Sequence, residues 1–398
     1  MDTLHNWHAI TMAFSLPDDT ETGEHLKRGP LRDFGPRKPD DSYASKRHTL
    51  SFHDFPVPRL LAYSLRISGF KTGGPGEKVE WWARFTYKGI GASLAHEKFG
   101  LRLYLPADLT ENARIELLTE IQTQLRSAVR AVEKVLLARA PEMLGQGHAT
   151  VVNQHFSLER AYAYFRSRAL DPALIDDEYK VYGADELPKG LASASTFQDG
   201  KVLMQLNAFH DMIAAITAYL SRLEHDLVLA FAFSNFDPDS DNLTSFIGSR
   251  WGEKFNRVLN TVSGSHQYRS QLTAVVERWR NPYSHGGFEK GHAATIYLHT
   301  PGVGAVPVGL TKVRESPLFS FVPATESTIQ EVFHLFDELD AWMQSQLPEA
   351  IQWIRSGLDV RFDPDFRSLV EEALESDKFE ELVSHFEHRQ AIADNMDY

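Results

Sequence analysis

The sequence predicts an α+β protein, in which an N-terminal α+β domain precedes a mainly α-helical bundle with a β-hairpin insertion. Two kinds of apolar periodicity predict this class. In the first half, short segments alternate apolar and polar residues with the period of two that half-buried strands show. In the second half, apolar residues recur at three- and four-residue spacing over long stretches, which is typical of amphipathic helices.

Length and composition limit the kind of protein. A chain of 398 residues is long enough for two or three domains. It contains no cysteine, which excludes disulfides and thiolate zinc sites and leads us to expect a cytoplasmic protein. Because it has no apolar run of about 18 residues, we expect no membrane partner.

The N-terminal part is predicted as two segments. Residues 1–45 are rich in Asp, Gly and Pro and are expected to form an irregular arm. Residues 46–190 are expected to form an α+β domain of unknown role. Within it, residues 48–68 are expected to form strands interrupted by bends, and residues 81–87 and 99–105 have the alternation of half-buried strands.

The same domain is predicted to contain two helices and no chemistry that we can name. The helices span residues 108–140 and 158–170, and a polar, acidic connector follows to about residue 200. The domain has five histidines, which we expect to be ordinary surface or core residues. They are His48, His53, His96, His148 and His155.

The second half is predicted as a helical bundle over residues 199–347 and an acidic helical tail over residues 348–398. The bundle helices are predicted at residues 202–234, 246–262, 266–281 and 327–345, with a hairpin at 294–313. Apolar residues cover more than one face of the 202–234 helix. This helix is therefore expected to be central to the bundle and to form part of a partner surface.

The candidate site lies at the end of the 266–281 helix, where residues 280–286 read Arg-Asn-Pro-Tyr-Ser-His-Gly. Arg280 stays cationic and offers a planar fork of N–H groups to phosphate oxygens. His285 can exchange protons near neutral pH, because imidazole has an ordinary pKa of about 6.5. The spacing places the two residues close enough to converge on one small anion.

Spacing alone is weak support for a site. An arginine followed five residues later by a histidine is expected about once by chance in a chain of this length. Arg47 and His53 have a similar, looser spacing, but they lie in an apparent strand. The Arg280 cluster differs in its context, since Asn281 follows the arginine, a glycine follows His285, and long apolar helices flank the segment.

This combination resembles the HEPN superfamily over residues 199–347. The resemblance implies a helical bundle that pairs as a homodimer and acts on RNA as a metal-independent endoribonuclease without a cofactor. It implies catalytic roles for Arg280, His285 and Asn281, and an antitoxin or a phage-derived trigger as a further partner. Pro282 departs from the pattern and is expected to bend or end the helix, since proline lacks a backbone donor.

Three further residues are predicted to bind substrate or support the site. They are Arg278, Tyr283 and Glu224. Tyr283 can stack on a base. Glu224, His225 and Asp226 lie on the long helix, where family members often carry a polar residue, so one of them is expected to orient the catalytic pair. The alternative is that all three face solvent.

The charge distribution fits a local phosphate site within an acidic protein of net charge −13. Residues 244–300 contain seven basic and three acidic residues, whereas residues 363–398 contain eleven acidic and three basic ones. The net charge argues against nonspecific binding of nucleic acid over the whole surface, whereas the basic region is what a local phosphate site would require. The alternative is a chance unevenness of charge.

The predicted function is therefore a toxin or antiviral-defence nuclease that cuts RNA by attack of the 2′-hydroxyl. The alternative is a catalytically inactive HEPN-like bundle that serves as an RNA- or nucleotide-binding module or as a protein-interaction scaffold.

Overall fold

A computed structural model of the chain describes residues 19–37, 44–186, 188, 193–234, 236–237, 240–284, 296–307 and 321–396. It confirms the α+β class. The chain divides into two compact units. The unit that we call the sheet unit comprises Met1–His148 and Asp363–Tyr398, and the unit that we call the helical unit comprises Ala149–Phe362.

The sheet unit is built on one antiparallel sheet. Its strands are β1 (Phe34–Pro36), β2 (Ser45–Thr49), β3 (Thr72–Gly73), β4 (Val79–Tyr87), β5 (Ile90–Glu97) and β6 (Gly100–Pro106). The strand order is β1-β4-β5-β6-β2, and β3 also pairs with β4. Lys88 and Gly89 join β4 to β5 with φ angles of 47° and 79°. Positive φ at both positions matches the right-handed twist of the paired strands.

The predicted alternation is confirmed for residues 81–87 but not for residues 99–105, where Phe99 is exposed and Gly100 and Arg102 are buried. In β4, Trp81, Ala83, Phe85 and Tyr87 are buried, whereas Arg84 is exposed. The buried face of the sheet packs with three helices into one apolar core, because each of these elements has one apolar face to remove from water. The helices are α1 (Asp19–Arg28), α2 (Pro58–Ile67) and α3 (Glu111–Gly145).

Two of these helices correct the sequence predictions. Residues 19–28 form α1, although they were predicted to be part of an irregular arm. Residues 58–67 form α2, although they were predicted as strand. Pro58 is the first residue of α2, where proline is favoured because the backbone N–H it lacks has no intrahelical partner. Residues 1–18 of the predicted arm lie outside the described residues.

The helical unit contains the predicted bundle. Its helices are α4 (His155–Leu170), α5 (Gly200–Ala230), α6 (Leu243–Gly248), α7 (Trp251–Leu259), α8 (Ser265–Val275), α9 (Asn281–Ser284), α10 (Glu326–Gln346) and α11 (Pro348–Ser356). Its strands are β7 (Thr150–Val151), β8 (Glu178–Gly183), β9 (Ser193–Gln198), β10 (Tyr297–Thr300), β11 (Gly304–Pro307) and β12 (Val360–Arg361). The β10–β11 hairpin confirms the predicted insertion.

The central element of this unit is α5, as predicted. The side chain of Asp199 accepts a hydrogen bond from the backbone N–H of Val202 and so caps the start of α5. Buried residues occupy several faces of α5 because α4, α7, α10 and α11 all pack against it. Its Tyr219 ring stacks on Phe336 of α10 at 3.9 Å and lies 5.2 Å from Tyr162 of α4.

The helical unit is an insertion into the sheet unit, and its two ends meet. Val151 of β7 pairs with Val360 of β12, and the Phe362 N–H donates to the carbonyl of Ala149 at 3.0 Å. Adjacent entry and exit points allow a unit of this size to form its own core without interrupting the core of its host.

Residues 363–396 return to the sheet unit as α12 (Pro364–Glu375) and α13 (Phe379–Asn395). This part of the predicted helical tail forms two helices, because the chain breaks at Asp377, whose φ is 56°. Apolar residues of both helices are buried.

The observed units differ from the predicted segments 46–190, 199–347 and 348–398. Helix α4, predicted as part of the N-terminal domain, belongs to the helical unit because its inner face packs along α5. The predicted acidic connector contains the β8–β9 hairpin, although residues 187 and 189–192 lie outside the described part of the chain.

The start of α5 depends on a glycine. A Cβ atom at Gly200 would lie 2.0 Å from the carbonyl oxygen of Ile175. We expect Gly200→Ala to lower the free energy of unfolding by about 1–3 kcal/mol, because the backbone must move to relieve the overlap. Urea unfolding measures this change. The matched control is Gly248→Ala, where the described residues leave the space around the new Cβ open; equal stabilities of the two variants would contradict the prediction.

Candidate functional site

The predicted motif lies on an irregular helical segment. Helix α8 ends at Val275 and is followed by one π-helical turn, Val276–Arg280, which we call the π turn. The backbone N–H of Asn281 donates to the carbonyl of Val276, five residues earlier. Single π turns inside α-helices are frequent at functional sites, because the extra residue changes which side chains face outward.

Pro282 explains the π turn. Proline has no N–H to give to the carbonyl four residues earlier, and its ring would collide with that carbonyl in a regular helix. The wider turn removes this conflict, and the chain continues as α9 to Ser284. Of the two effects expected of Pro282, a bend or an end of the helix, the end is wrong, since the helix continues past Asn281 to Ser284 with a change of hydrogen-bonding register.

Arg280 lies at the end of the π turn and is half-buried. Its Nε atom is buried and has no hydrogen-bond acceptor among the described residues. A buried N–H without an acceptor is costly and is usually satisfied by a side chain, a water or a ligand. Arg280 is thus an incompletely paired cation at the predicted position.

Aromatic residues hold the π turn against α5. Trp279 is buried and lies 6.2 Å from the Phe209 ring, and Tyr283 lies 5.2 Å from the same ring. Tyr283 also keeps part of its surface exposed, and its role in stacking on a base stays a prediction. Arg278 is exposed and places its guanidinium carbon 4.7 Å from the centre of the Trp279 ring.

Of the other two predicted catalytic residues, the structure describes Asn281 but not His285. Asn281 is half-buried and is the first residue of α9, directly after Arg280. His285 lies outside the described residues, as do the two glycines that follow it. The distance between the guanidinium of Arg280 and the imidazole of His285 therefore stays a prediction.

Glu224, predicted to support the catalytic pair, has another partner. Its carboxylate accepts a hydrogen bond of 2.8 Å from Lys254 of α7, whose side chain is 6% exposed. Glu224 is fifteen residues after Phe209, the α5 residue that contacts the π turn. This is roughly 20 Å along a helix. Within one chain, α5 thus carries Glu224 away from the motif.

The basic residues near the motif are not all available to a ligand. Lys254 is paired with Glu224, and Arg257 is paired with Asp241 at 2.7 Å. Both acidic partners lie before residue 244, so they did not enter the count that predicted a basic region.

A second cluster of polar residues, which the sequence prediction missed, lies farther along α5. Arg222 is 5% exposed, and its guanidinium donates to Glu159 of α4 and to Asp340 of α10, the latter at 2.5 Å. The Tyr219 hydroxyl donates to Asp340 at 2.9 Å. Burial raises the pKa of Asp340, although its contact with Arg222 acts in the opposite direction.

Two histidines adjoin this cluster. The Nδ1 atom of His155 lies 2.9 Å and 3.0 Å from the two carboxylate oxygens of Asp226. The Nε2 atom of His225 accepts a hydrogen bond of 2.9 Å from the backbone N–H of Gln154. Burial lowers the pKa of His225, which favours the neutral form that this hydrogen bond requires.

His225 and Asp226 therefore contact α4 or the residue that precedes it, and the alternative that Glu224, His225 and Asp226 all face solvent is wrong. His155, expected to be an ordinary histidine, is a member of the cluster. A local signal was present, since His155 and Glu159 are four residues apart, as are Arg222 and Asp226. The contacts between the two pairs could not be predicted because they join distant parts of the chain.

Comparison with protein-family models, curated proteins and solved structures finds no match for this chain. Within the described ranges, no helix is long and apolar enough to span a bilayer. In the same part of the chain, no three side chains of His, Asp or Glu are grouped so that they could hold a metal ion.

The pairing with Lys254 predicts a structural role for Glu224, which substitution can test. We expect Glu224→Ala to lower the free energy of unfolding by about 1–3 kcal/mol, because it leaves the buried ammonium group of Lys254 without its acceptor. Denaturant unfolding of this variant and of Lys254→Met measures the effect. The double variant Glu224→Leu/Lys254→Met should be more stable than Glu224→Ala, since it leaves no unpaired charge. An Ala variant as stable as the wild type would contradict a structural role.

Proposed function

We propose that the chain is a HEPN-type, metal-independent endoribonuclease that acts as a toxin or an antiviral-defence effector. The observation that carries this proposal is the half-buried Arg280, whose Nε has no acceptor among the described residues. It stands on a π turn within the segment that resembles the family.

The chemistry requires few groups because RNA supplies its own nucleophile. A base removes the proton of the 2′-hydroxyl, and the 2′-oxygen attacks the adjacent phosphorus. The bond from phosphorus to the 5′-oxygen breaks, and an acid protonates the leaving oxygen. The products are a 2′,3′-cyclic phosphate and a 5′-hydroxyl.

In this proposal Arg280 binds the non-bridging phosphate oxygens, whose negative charge grows in the transition state. Arg222 provides a comparison, because its guanidinium already donates to two carboxylates. A phosphate could bind Arg222 only by displacing them, whereas the incompletely paired Arg280 has N–H capacity to offer.

His285 exchanges the protons in this proposal, and Asn281 holds the imidazole or a phosphate oxygen. Arg278 and Tyr283 bind the RNA on either side of the reacting phosphate. Their exposure and their contacts with Trp279 and Phe209 support these roles, since partly fixed, accessible side chains lose less entropy on binding.

The proposed active form is a homodimer. The broad apolar surface of α5 does not support a homodimer, because neighbouring helices of the same unit cover it. The remaining argument is chemical. One histidine cannot act as acid and base at the same time, so a second copy of the chain would have to contribute the second histidine.

We expect a dimeric mass by light scattering at micromolar concentration, with loss of activity on dilution to monomer. Full activity of a monomer would contradict this expectation.

The function is tested with single-stranded RNA and the purified full-length chain in the presence of EDTA. We expect cleavage with 2′,3′-cyclic phosphate ends, identified by mass spectrometry. Arg280→Ala and His285→Ala should each lower the rate by about 10²-fold or more, as expected for loss of electrostatic or acid–base catalysis. Arg280→Lys should also be impaired because lysine keeps the charge but loses the fork.

The matched controls are Arg47→Ala and His53→Ala, which change the same residue types at exposed positions of the sheet unit. Both should cleave at the wild-type rate. Products with 5′-phosphate ends, or cleavage unaffected in Arg280→Ala and His285→Ala, would reject the proposed mechanism. RNA binding without cleavage would favour the inactive binding module instead.

A further inference from the structure

The second polar cluster borders a cavity of about 300 Å³ in the helical unit. This volume corresponds to roughly ten water molecules, since each occupies about 30 Å³ in the liquid. The volume falls at the lower end of the range for small-molecule sites. The cavity can therefore hold a small organic molecule.

The lining of the cavity has two chemically different parts. One part is polar and consists of His155, Glu159, Arg222, Asp226, Asp340 and Arg355. The other part is apolar and consists of Phe156, Leu223, Met343, Ile351 and Ile354. A matching ligand needs a polar end and an apolar stem.

The polar part of the lining has more carboxylates than guanidinium groups. It contains three carboxylates and two guanidinium groups. Arg222 is shared between Glu159 and Asp340, with its Nε a further 3.8 Å from Asp226. Arg355 donates to Gln344, a neutral acceptor. An excess of carboxylates around a cavity attracts a cation and disfavours an anion such as phosphate.

The cluster also leaves hydrogen-bond acceptors for a ligand. When Nδ1 of a neutral His155 ring donates to Asp226, its Nε2 is an acceptor, and Nε2 has no partner among the described residues. Glu159 uses Oε2 for Arg222, whereas its Oε1 makes no hydrogen bond within the described ranges. These two residues lie one helical turn apart on α4, so both acceptors can serve one donor group.

We propose that this cavity binds a small organic ammonium ion with an aliphatic stem. The ammonium N–H groups donate to Glu159 and His155, and the stem contacts Leu223, Met343 and the two isoleucines of α11. The site is separate from the proposed nuclease motif, because Arg222 is thirteen residues beyond Phe209 on α5. That separation is roughly 20 Å along the helix axis.

The probe for this site is n-butylammonium chloride, added to the full-length chain at about pH 8, where an ordinary imidazole is neutral. The chain has seven methionines, so methyl-¹³C methionine gives a spectrum simple enough to follow Met343. Met343→Leu identifies its signal. We expect butylammonium to shift this signal in a saturable way and to raise the thermal unfolding temperature.

Glu159→Gln tests the charge while keeping an amide oxygen as an acceptor for Arg222. We expect it to raise the dissociation constant of butylammonium about tenfold, as for loss of one charged hydrogen bond. The matched control is Glu338→Gln on α10, which lies outside the cavity lining. It should bind as the wild type does, and so should Arg280→Ala.

Two further probes test whether binding needs both the charge and the aliphatic stem, and they can be used even if Glu159→Gln fails to fold. These are 1-butanol, which has the stem without the charge, and potassium chloride, which has the charge without the stem. Neither should reproduce the shift of the Met343 signal. An equal response to 1-butanol or potassium chloride, wild-type affinity in Glu159→Gln, or no response to butylammonium would each overturn the proposal.

Discussion

The helical unit depends on the buried guanidinium of Arg222. A charge that is removed from water must find partners, and its partners come from α4 and α10 as well as from its own helix. Because the planar guanidinium donates in fixed directions, Glu159 and Asp340 must approach from defined sides. The Tyr219–Phe336 stack lies beside this network and adds apolar contact between the same helices. One side chain thus contacts three helices and restricts how they can be oriented.

Helix α5 links two chemically distinct regions. Near its start, Phe209 packs on the aromatic residues of the π turn, and farther along it carries Arg222 and Asp226. The two regions differ in how their arginines are paired. Each arginine has a buried Nε without an acceptor in the described ranges. The terminal nitrogens of Arg222 donate to two carboxylates, whereas Arg280 makes no ion pair with a carboxylate in the same ranges. The same residue type is therefore paired with carboxylates in one region and is the proposed phosphate ligand in the other.

Periodicity predicted much of the secondary structure because strands and helices expose their apolar residues at local, regular intervals. The alternation in β4 and the three- and four-residue spacing in α5 are examples. The prediction was wrong for residues 58–67, where a short apolar run does not distinguish a strand from a helix. It also missed the π turn, because the effect of Pro282 on a helix depends on whether the flanking packing preserves the helix.

The sequence by itself determined the α+β class, the long helices, the hairpin insertion and the motif with Arg280 and Asn281. Only the tertiary structure decided which elements share a unit and which side chains meet. His155 and Asp226 are 71 positions apart, and Arg222 and Asp340 are 118 apart. Contacts of this kind leave no periodic pattern, because they are selected by the packing of whole helices and by the need of buried charges for partners. For the same reason, Glu224 proved to be paired with Lys254, which local sequence could not indicate.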